Sequence, residues 1–220
     1  GSGQQAVHFG LQAIMSGCHD LIIAGGVECM GKVPIGADGY PLPGKEKPTL
    51  PQSLLKNFKA NPMGISAELM AEKWKLTRRD LDEFSCNSHI KAGKARESGY
   101  FKKEIVPVQT LKGLVEHDEG IRIDASVEKM MTLKPAFKED GVITAANASQ
   151  ISDGSAALLL ASESAVKKFG LKPRAKLIDF AVVGTDVELQ LTGPIVAIPK
   201  VLQRAGLSLK DIDLIESNEA

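Results

Sequence analysis

The residues best placed to do chemistry are polar or glycine-rich groups that close apolar runs: Gly25-Gly26-Val27-Glu28, Asn147-Ala148-Ser149 and Asn218-Glu219. In open α/β sheets ligands gather beyond the carboxyl ends of the strands, so such positions are where a site is sought. Each also has an ordinary structural reading. Gly25-Gly26 reads as a tight turn, Asn147 as a cap on its own loop, and Asn218 as the N-cap of a helix. A further signal is Gly1-Ser2-Gly3, a turn that feeds a helix. The free N–H groups and positive dipole of a helix start stabilise an anion just upstream, such as a thiolate of lowered pKa. A cloning scar is the competing reading of Gly-Ser-Gly, disfavoured by the unbroken helical pattern that follows. That nucleophile would lie ahead of Gly1, and Asn218-Glu219-Ala220 stops in mid-motif, so both ends read as cuts through functional elements.

The cysteines inside the chain offer no substitute. Cys18, Cys29 and Cys86 are odd in number, contain no C-x-x-C pair and make no zinc-ligand pattern with the four histidines. Disulfides and zinc are disfavoured, and a reducing compartment fits best. Cys18 follows a helix, where the dipole opposes a thiolate, and Cys86 falls inside one. All three read as small buried hydrophobes.

These residues must be positioned by an α/β framework. Gln4 to Met15 carries apolar residues at helical spacing and ends at Gly17. Asp20 to Gly26 is a continuous apolar strand of the kind covered on both faces. Residues 31–62 are rich in Gly, Pro and Lys and read as a long excursion. Helices are expected over Ser66–Lys75 and Asp80–Ser98, the second opened by a Thr77-x-x-Asp80 cap and closed by Gly99. Glu104–Thr110 reads as an edge strand because of Pro107. Strands are expected at Val142–Ala145, Ala156–Ala161, Lys176–Val183 and Leu214–Ile215, with helices at Glu163–Phe169 and Pro194–Ala205.

Composition bounds the partners. The 220 residues carry zero net charge, so no global field favours nucleic acid or an anionic membrane. A slight basic excess over residues 31–150 suits a phosphate-bearing small molecule, although a mixed solvated surface is the plainer reading. No run is long and apolar enough to cross a membrane and no signal peptide is visible. Since the chain opens on Gly1 rather than methionine, that leaves organellar targeting open, and a cytoplasmic, bacterial-like setting is the expectation.

The wording of several segments, in order, is far more specific than any one of them. Gly1-Ser-Gly-Gln-Gln-Ala-Val7, Ile23-Ala-Gly-Gly-Val-Glu28, Pro62-Met-Gly-Ile-Ser-Ala-Glu68, Asp118-Glu-Gly-Ile-Arg122, Leu133-Lys-Pro-Ala-Phe137, Asn147-Ala-Ser-Gln-Ile-Ser-Asp-Gly154, Leu191-Thr-Gly-Pro194 and Asn218-Glu-Ala220 resemble the thiolase family along the whole chain. The resemblance is nearest to acetyl-CoA acetyltransferases and degradative 3-ketoacyl-CoA thiolases. It implies α/β/α/β/α layers with an inserted loop domain, truncated at both ends. Residues 1–30 and 152–172 would belong to the N-terminal half, 31–151 to the loop domain and 173–220 to the start of the C-terminal half.

The implied chemistry is Claisen condensation, or thiolysis of a 3-ketoacyl-CoA, through a cysteine thiolate and two oxyanion holes. The resemblance places that cysteine before Gly1, and a Gly-His-Pro histidine and a second cysteine beyond Ala220. Asn218 is the catalytic-site residue that remains, holding the water that helps the histidine build an oxyanion hole. For substrate binding it implies Arg122 at the nucleotide end of coenzyme A, Ser149 beside pantetheine, and Met63 and Phe137 along the pantetheine and acyl pocket. No metal or other cofactor is implied, since acyl-CoA and acetyl-CoA are substrates. A homodimer or tetramer is expected of the full-length protein, with no nucleic-acid or membrane partner. Departures are Pro62, where biosynthetic relatives have histidine, Gln190 in place of methionine, Ala146 in place of glycine, and Cys29 in place of serine. The alternative is a non-catalytic acyl-CoA-binding relative. A ketoacyl synthase ranks lower, because its members carry His-Gly-Thr where this chain has Asn218-Glu-Ala.

Overall fold

The computed structural model describes residues 1–35, 52–59 and 61–219. They fall into two compact units. A sheet unit comprises Gly1–Leu55, Ile151–Gly184 and Gly193–Ile215; a cleft unit comprises Lys56–Gln150, Thr185–Thr192 and Glu216–Ala220.

In the sheet unit, helix α1 (Ser2–Met15) starts directly from Gly1, whose carbonyl accepts the Gln5 N–H at 2.7 Å. Gly17, in the left-handed region at φ 75°, follows its last turn. Strand β1 (Leu21–Glu28) pairs antiparallel with β4 (Gly154–Ala161), Leu21 opposite Ala161 and Glu28 opposite Gly154. Gly25 and Gly26 therefore lie within the ladder and form no turn. Gly25 is there for space, since a Cβ would stand 2.7 Å from the Ala156 carbonyl oxygen. The same need sets α1 against the sheet at Gly10, where a Cβ would stand 2.7 Å from Leu160 Cδ1. Most of β1 and β4 is exposed, so the expected covering of both faces is not seen among the described residues.

The unit continues into α6 (Glu163–Phe169), capped by Ser162 at one end and by Gly170 at φ 61° at the other. Ser162 and Ser164 donate to Asp20 at 2.6 and 3.0 Å, which joins the start of α6 to the start of β1. Those hydroxyls, Ser162 first, hold the Asp20 carboxyl below the ordinary aspartate value. Helix α7 (Gly193–Ala205) follows.

Residues 176–183 and 214–215, expected as strands, are unpaired. A strand needs a neighbour to take its N–H and C=O groups, and none lies alongside among the described residues. The first stretch is held by side chains instead. Arg204 reaches back to Asp179 at 2.8 Å and to the Phe180 carbonyl at 3.2 Å, and His8 stacks on Phe180.

The cleft unit is mostly helical. Short helix α2 (Gln52–Asn57), which begins in the sheet unit and ends in the cleft unit, interrupts what the sequence suggested was an unstructured excursion; residues 36–51, which hold most of its prolines, lie outside the described residues. Helix α3 (Met63–Trp74) starts from Pro62, and α4 (Arg78–Glu97) from the expected Thr77/Asp80 capping box. Strand pairing in 104–110 is limited to β2 (Val108–Thr110) against β3 (Gly113–Val115). The N–H groups of Glu104 and Ile105 turn back to the Phe101 carbonyl, and Pro107 has none to give. Ser126 caps α5 (Val127–Met131). The strand expected at 142–145 is reduced to one bridge, Pro135 to Thr144. Side chains take its donors: Glu68 accepts from the Val142 and Ile143 N–H groups, each at 2.9 Å, and Asn147 from that of Thr144 at 2.8 Å.

Candidate functional site

The cleft unit rests on a buried polar scaffold. Ser66, Asp82 and Thr144 are fully buried, and Glu68 nearly so. Asp82 accepts from Arg78 Nε at 2.6 Å and from Asn147 Nδ2 at 2.9 Å. Arg78 also donates to the carbonyls of Leu133 and Met130. Asn147 completes its set by donating to the Val142 carbonyl at 3.0 Å. Buried charge is tolerated when it is paired or hydrogen-bonded: Asp82 has the Arg78 ion pair and the Asn147 amide, and Glu68 has two backbone N–H donors. Asn147 thus caps its own loop, and its amide is fully occupied.

Against this scaffold lies an open cleft of ≈ 660 Å³, lined by one face of α4, the 120–126 segment, α5, the 145–150 loop and Glu219. Arg122 and Ser149, two of the residues expected to bind substrate, both line it. Both are exposed, and among the described residues neither the Arg122 guanidinium nor the Ser149 hydroxyl has a hydrogen-bond or ion-pair partner. The other basic side chains differ. Lys129 donates to Asp124 Oδ2 at 3.0 Å, and that hydrogen bond and charge hold the Asp124 carboxyl below the ordinary aspartate value, with a smaller push from Arg122. His89 Nδ1 accepts the Arg122 backbone N–H at 3.2 Å. With Lys129 neutralised, Arg122 is the cation left unpaired at the cleft among the described residues. A planar guanidinium in that state is suited to phosphate or to an aromatic face.

Met63 and Phe137 sit elsewhere in the same unit, at the start of α3. The Phe137 ring lies over Gly64, where a Cβ would approach it to 2.3 Å, and both Met63 and Phe137 remain about half exposed. Gln190 reinforces the spot by donating to the Asn61 carbonyl at 2.7 Å and to Ser66 Oγ at 2.8 Å. Ser66 in turn donates to the Glu188 carbonyl at 2.6 Å. Asn218 is exposed and does not line the cleft; its neighbour Glu219 does. Ala220 lies outside the described residues.

None of the three cysteines lines the cleft. Cys86 is buried and its thiol points at the Ala125 carbonyl; Cys29 is half-buried 3.6 Å from Asp153, which also accepts the Gly31 N–H. Cys18 is exposed, contrary to the buried reading of all three. Sequence reasoning missed His89, Lys129 and Asp124, as well as the two scaffold carboxylates Glu68 and Asp82. Ser85, Ser88 and His89 at helical spacing make a polar stripe on α4 that would have pointed to the cleft.

Comparison with known proteins settles the family. Residues 1–164 match the family described as thiolase, N-terminal domain, and residues 171–220 that described as thiolase, C-terminal domain. The chain belongs to the thiolase family. All of it aligns with a steroid 3-ketoacyl-CoA thiolase of Mycobacterium tuberculosis at 43% identity, over 55% of that protein. An acetyl-CoA acetyltransferase of Rhizobium meliloti is 42% identical over 58% of its length. Among solved structures, the human mitochondrial 3-ketoacyl-CoA thiolase in complex with CoA superposes on the whole chain and 57% of its own, with TM-score 0.84 and 34% identity. The fold is thus the α/β thiolase fold, and this thiolase chain spans about half the length of the curated relatives it matches.

Proposed function

We propose that this chain carries the coenzyme A-binding part of an acyl-transferring thiolase, with the nucleotide end of the thioester in the cleft beside Arg122 and Ser149. One observation carries the reading. Among the described residues the unpartnered guanidinium and the unpartnered hydroxyl line one open cleft, while the neighbouring cation is already neutralised by Asp124. Arg122 pairs with phosphate or stacks on adenine, and Ser149 hydrogen-bonds the pantetheine arm. Met63 and Phe137, apolar and half exposed, flank the pantetheine and acyl portion. Asn218 holds the water of an oxyanion hole. The loop domain of this reading is residues 31–151, between an N-terminal half at 1–30 and 152–172 and a C-terminal half from 173.

The acyl group travels on coenzyme A, so the chemistry calls for no metal or redox group. None of Cys18, Cys29 and Cys86 matches the nucleophile of the family, and the 220 residues by themselves are expected to leave acetoacetyl-CoA thiolysis at background. Real turnover abolished by changing one of these cysteines would contradict that. The full protein is expected to be a homodimer or tetramer, checked by light scattering. Calorimetric titration with coenzyme A tests the binding reading. Arg122→Ala is expected to weaken binding about tenfold to a hundredfold and Ser149→Ala about threefold to tenfold, the ranges for losing a charged and a neutral hydrogen bond. Unchanged affinity in both variants would remove the nucleotide from this cleft.

A further inference from the structure

We propose that His89 is a positioning residue that makes coenzyme A affinity pH-dependent by holding or releasing the backbone of Arg122; this rests on the reading of the cleft given above. The segment carrying Arg122 has no regular secondary structure between β3 and α5, so its shape depends on what it lies against. It lies against one face of α4. Cys86, His89 and Gly93 follow one another at spacings of three and four, which stacks them along a helix. The Cys86 thiol points at the Ala125 carbonyl at 3.5 Å, His89 Nδ1 takes the Arg122 N–H at 3.2 Å, and a Cβ at Gly93 would stand 3.6 Å from Ile123. Of these three ties, the one at Arg122 itself depends on an imidazole, the kind of side chain that can switch between neutral acceptor and charged donor.

A backbone N–H can only donate, so the bond requires an unprotonated Nδ1 and the imidazole carries its hydrogen on Nε2. Protonation places a second N–H on Nδ1. The acceptor is lost, and two donors then face each other across a hydrogen-bond distance. The Arg122 backbone is freed, and with it the aim of the guanidinium. An opposing effect must be weighed, since a protonated imidazole adds positive charge that attracts an anionic ligand. The charged side chains lining the cleft with His89 are Arg122 and Asp124 on the segment, Lys129 on α5 and Glu219. The cleft-lining neighbours on α4, Phe84, Ser85 and Ser88, are uncharged. In an open, wet cleft the added charge is strongly screened, whereas the contact at the Arg122 N–H is direct. Release wins, and affinity falls on acidification.

The test uses the chain without ligand and then with coenzyme A, between about pH 8 and pH 5, the span in which imidazoles change charge. In ¹⁵N-resolved NMR spectra of the free chain, the Arg122 amide resonance is expected to move along the His89 imidazole titration. In calorimetry, affinity for coenzyme A is expected to fall about threefold to tenfold over the same span, the range for one lost hydrogen bond. His89→Asn keeps an acceptor oxygen that does not titrate, so it is expected to match the wild type at the upper pH and hold its affinity on acidification. His89→Ala is expected to bind weakly throughout. The ratio of wild type to His89→Asn also cancels the ionisation of the ligand's own phosphates. An Arg122 amide indifferent to His89, the same pH profile in His89→Asn as in the wild type, or tighter binding at low pH each overturns the proposal. Wild type that binds no coenzyme A at any pH overturns the reading of the cleft, and the amide titration in the free chain then still decides whether His89 holds Arg122.

Discussion

The two units solve the problem of order in opposite ways. In the sheet unit the backbone does it: β1 and β4 exchange hydrogen bonds along eight residues, and the side chains buried around them are apolar, Ala24, Leu160 and Ala165. In the cleft unit the loops have little ladder to rely on, and buried polar side chains take over. Glu68 holds 142–143, Asn147 and Asp82 hold the turn that follows, and Gln190 with Ser66 holds 188–190 to α3. The unit with the charged interior is also the one with the cleft. A segment free of strand pairing can be shaped to a ligand, but it must then be fixed by specific side-chain contacts, each of which is expensive to leave half made.

That contrast is open to mutation. The largest effect is expected from Asp82→Ala, which strands Arg78 and Asn147 in the interior and should cost about 3–5 kcal/mol in urea unfolding. A loss near zero would mean the scaffold is not what orders the cleft unit. Glu68→Gln keeps the size but turns one acceptor into a donor against a backbone N–H, and is expected to cost about 1–3 kcal/mol by the same measurement.

In the sheet unit, Gly10→Ala opposes two terms. Helix propensity gains about 1 kcal/mol, while overpacking against Leu160 costs about 1–3 kcal/mol. The obstructing atom is a side-chain methyl that can turn aside, so a net loss of about 1 kcal/mol or less is expected from those terms, well below Asp82→Ala. The smallest effect is that of Asp20. Its carboxyl is held below the ordinary value by Ser162 and Ser164. The stability it gives is therefore present above the unfolded-state value, about 3.9, and lost as pH falls through the lower folded value. Asp20→Asn should lower the melting temperature slightly at neutral pH, and the difference from the wild type should vanish on strong acidification. A difference that persists there would assign the effect to something other than the charge.

The same contrast explains what could be read from the sequence. Helices announced by caps were legible: Thr77-x-x-Asp80 opens α4 as expected, and Gly99, at φ 75°, follows its last turn. Those signals are local, satisfied within a few residues. The strand at 142–145 was not legible as a loop, because Val142-Ile143-Thr144 has the side chains of a strand, and its N–H groups are diverted by Asn147 and by Glu68, which lies 74 positions from Val142. Gly25-Gly26 was misread for the complementary reason. Glycine pairs usually mark turns, yet here a glycine makes room for the neighbouring strand. In the site, Arg122 and Ser149 stood out by their resemblance to thiolase wording. His89, Lys129 and Asp124 did not, since their meaning comes from facing one another across the cleft.

A crystal structure of the chain with coenzyme A bound would decide where the nucleotide goes. Density for the adenine and phosphates is expected in the cleft between α4 and the 145–150 loop, with the Arg122 guanidinium against them and the Lys129–Asp124 pair intact. Coenzyme A bound at another surface, with Arg122 still unpartnered, would contradict the assignment.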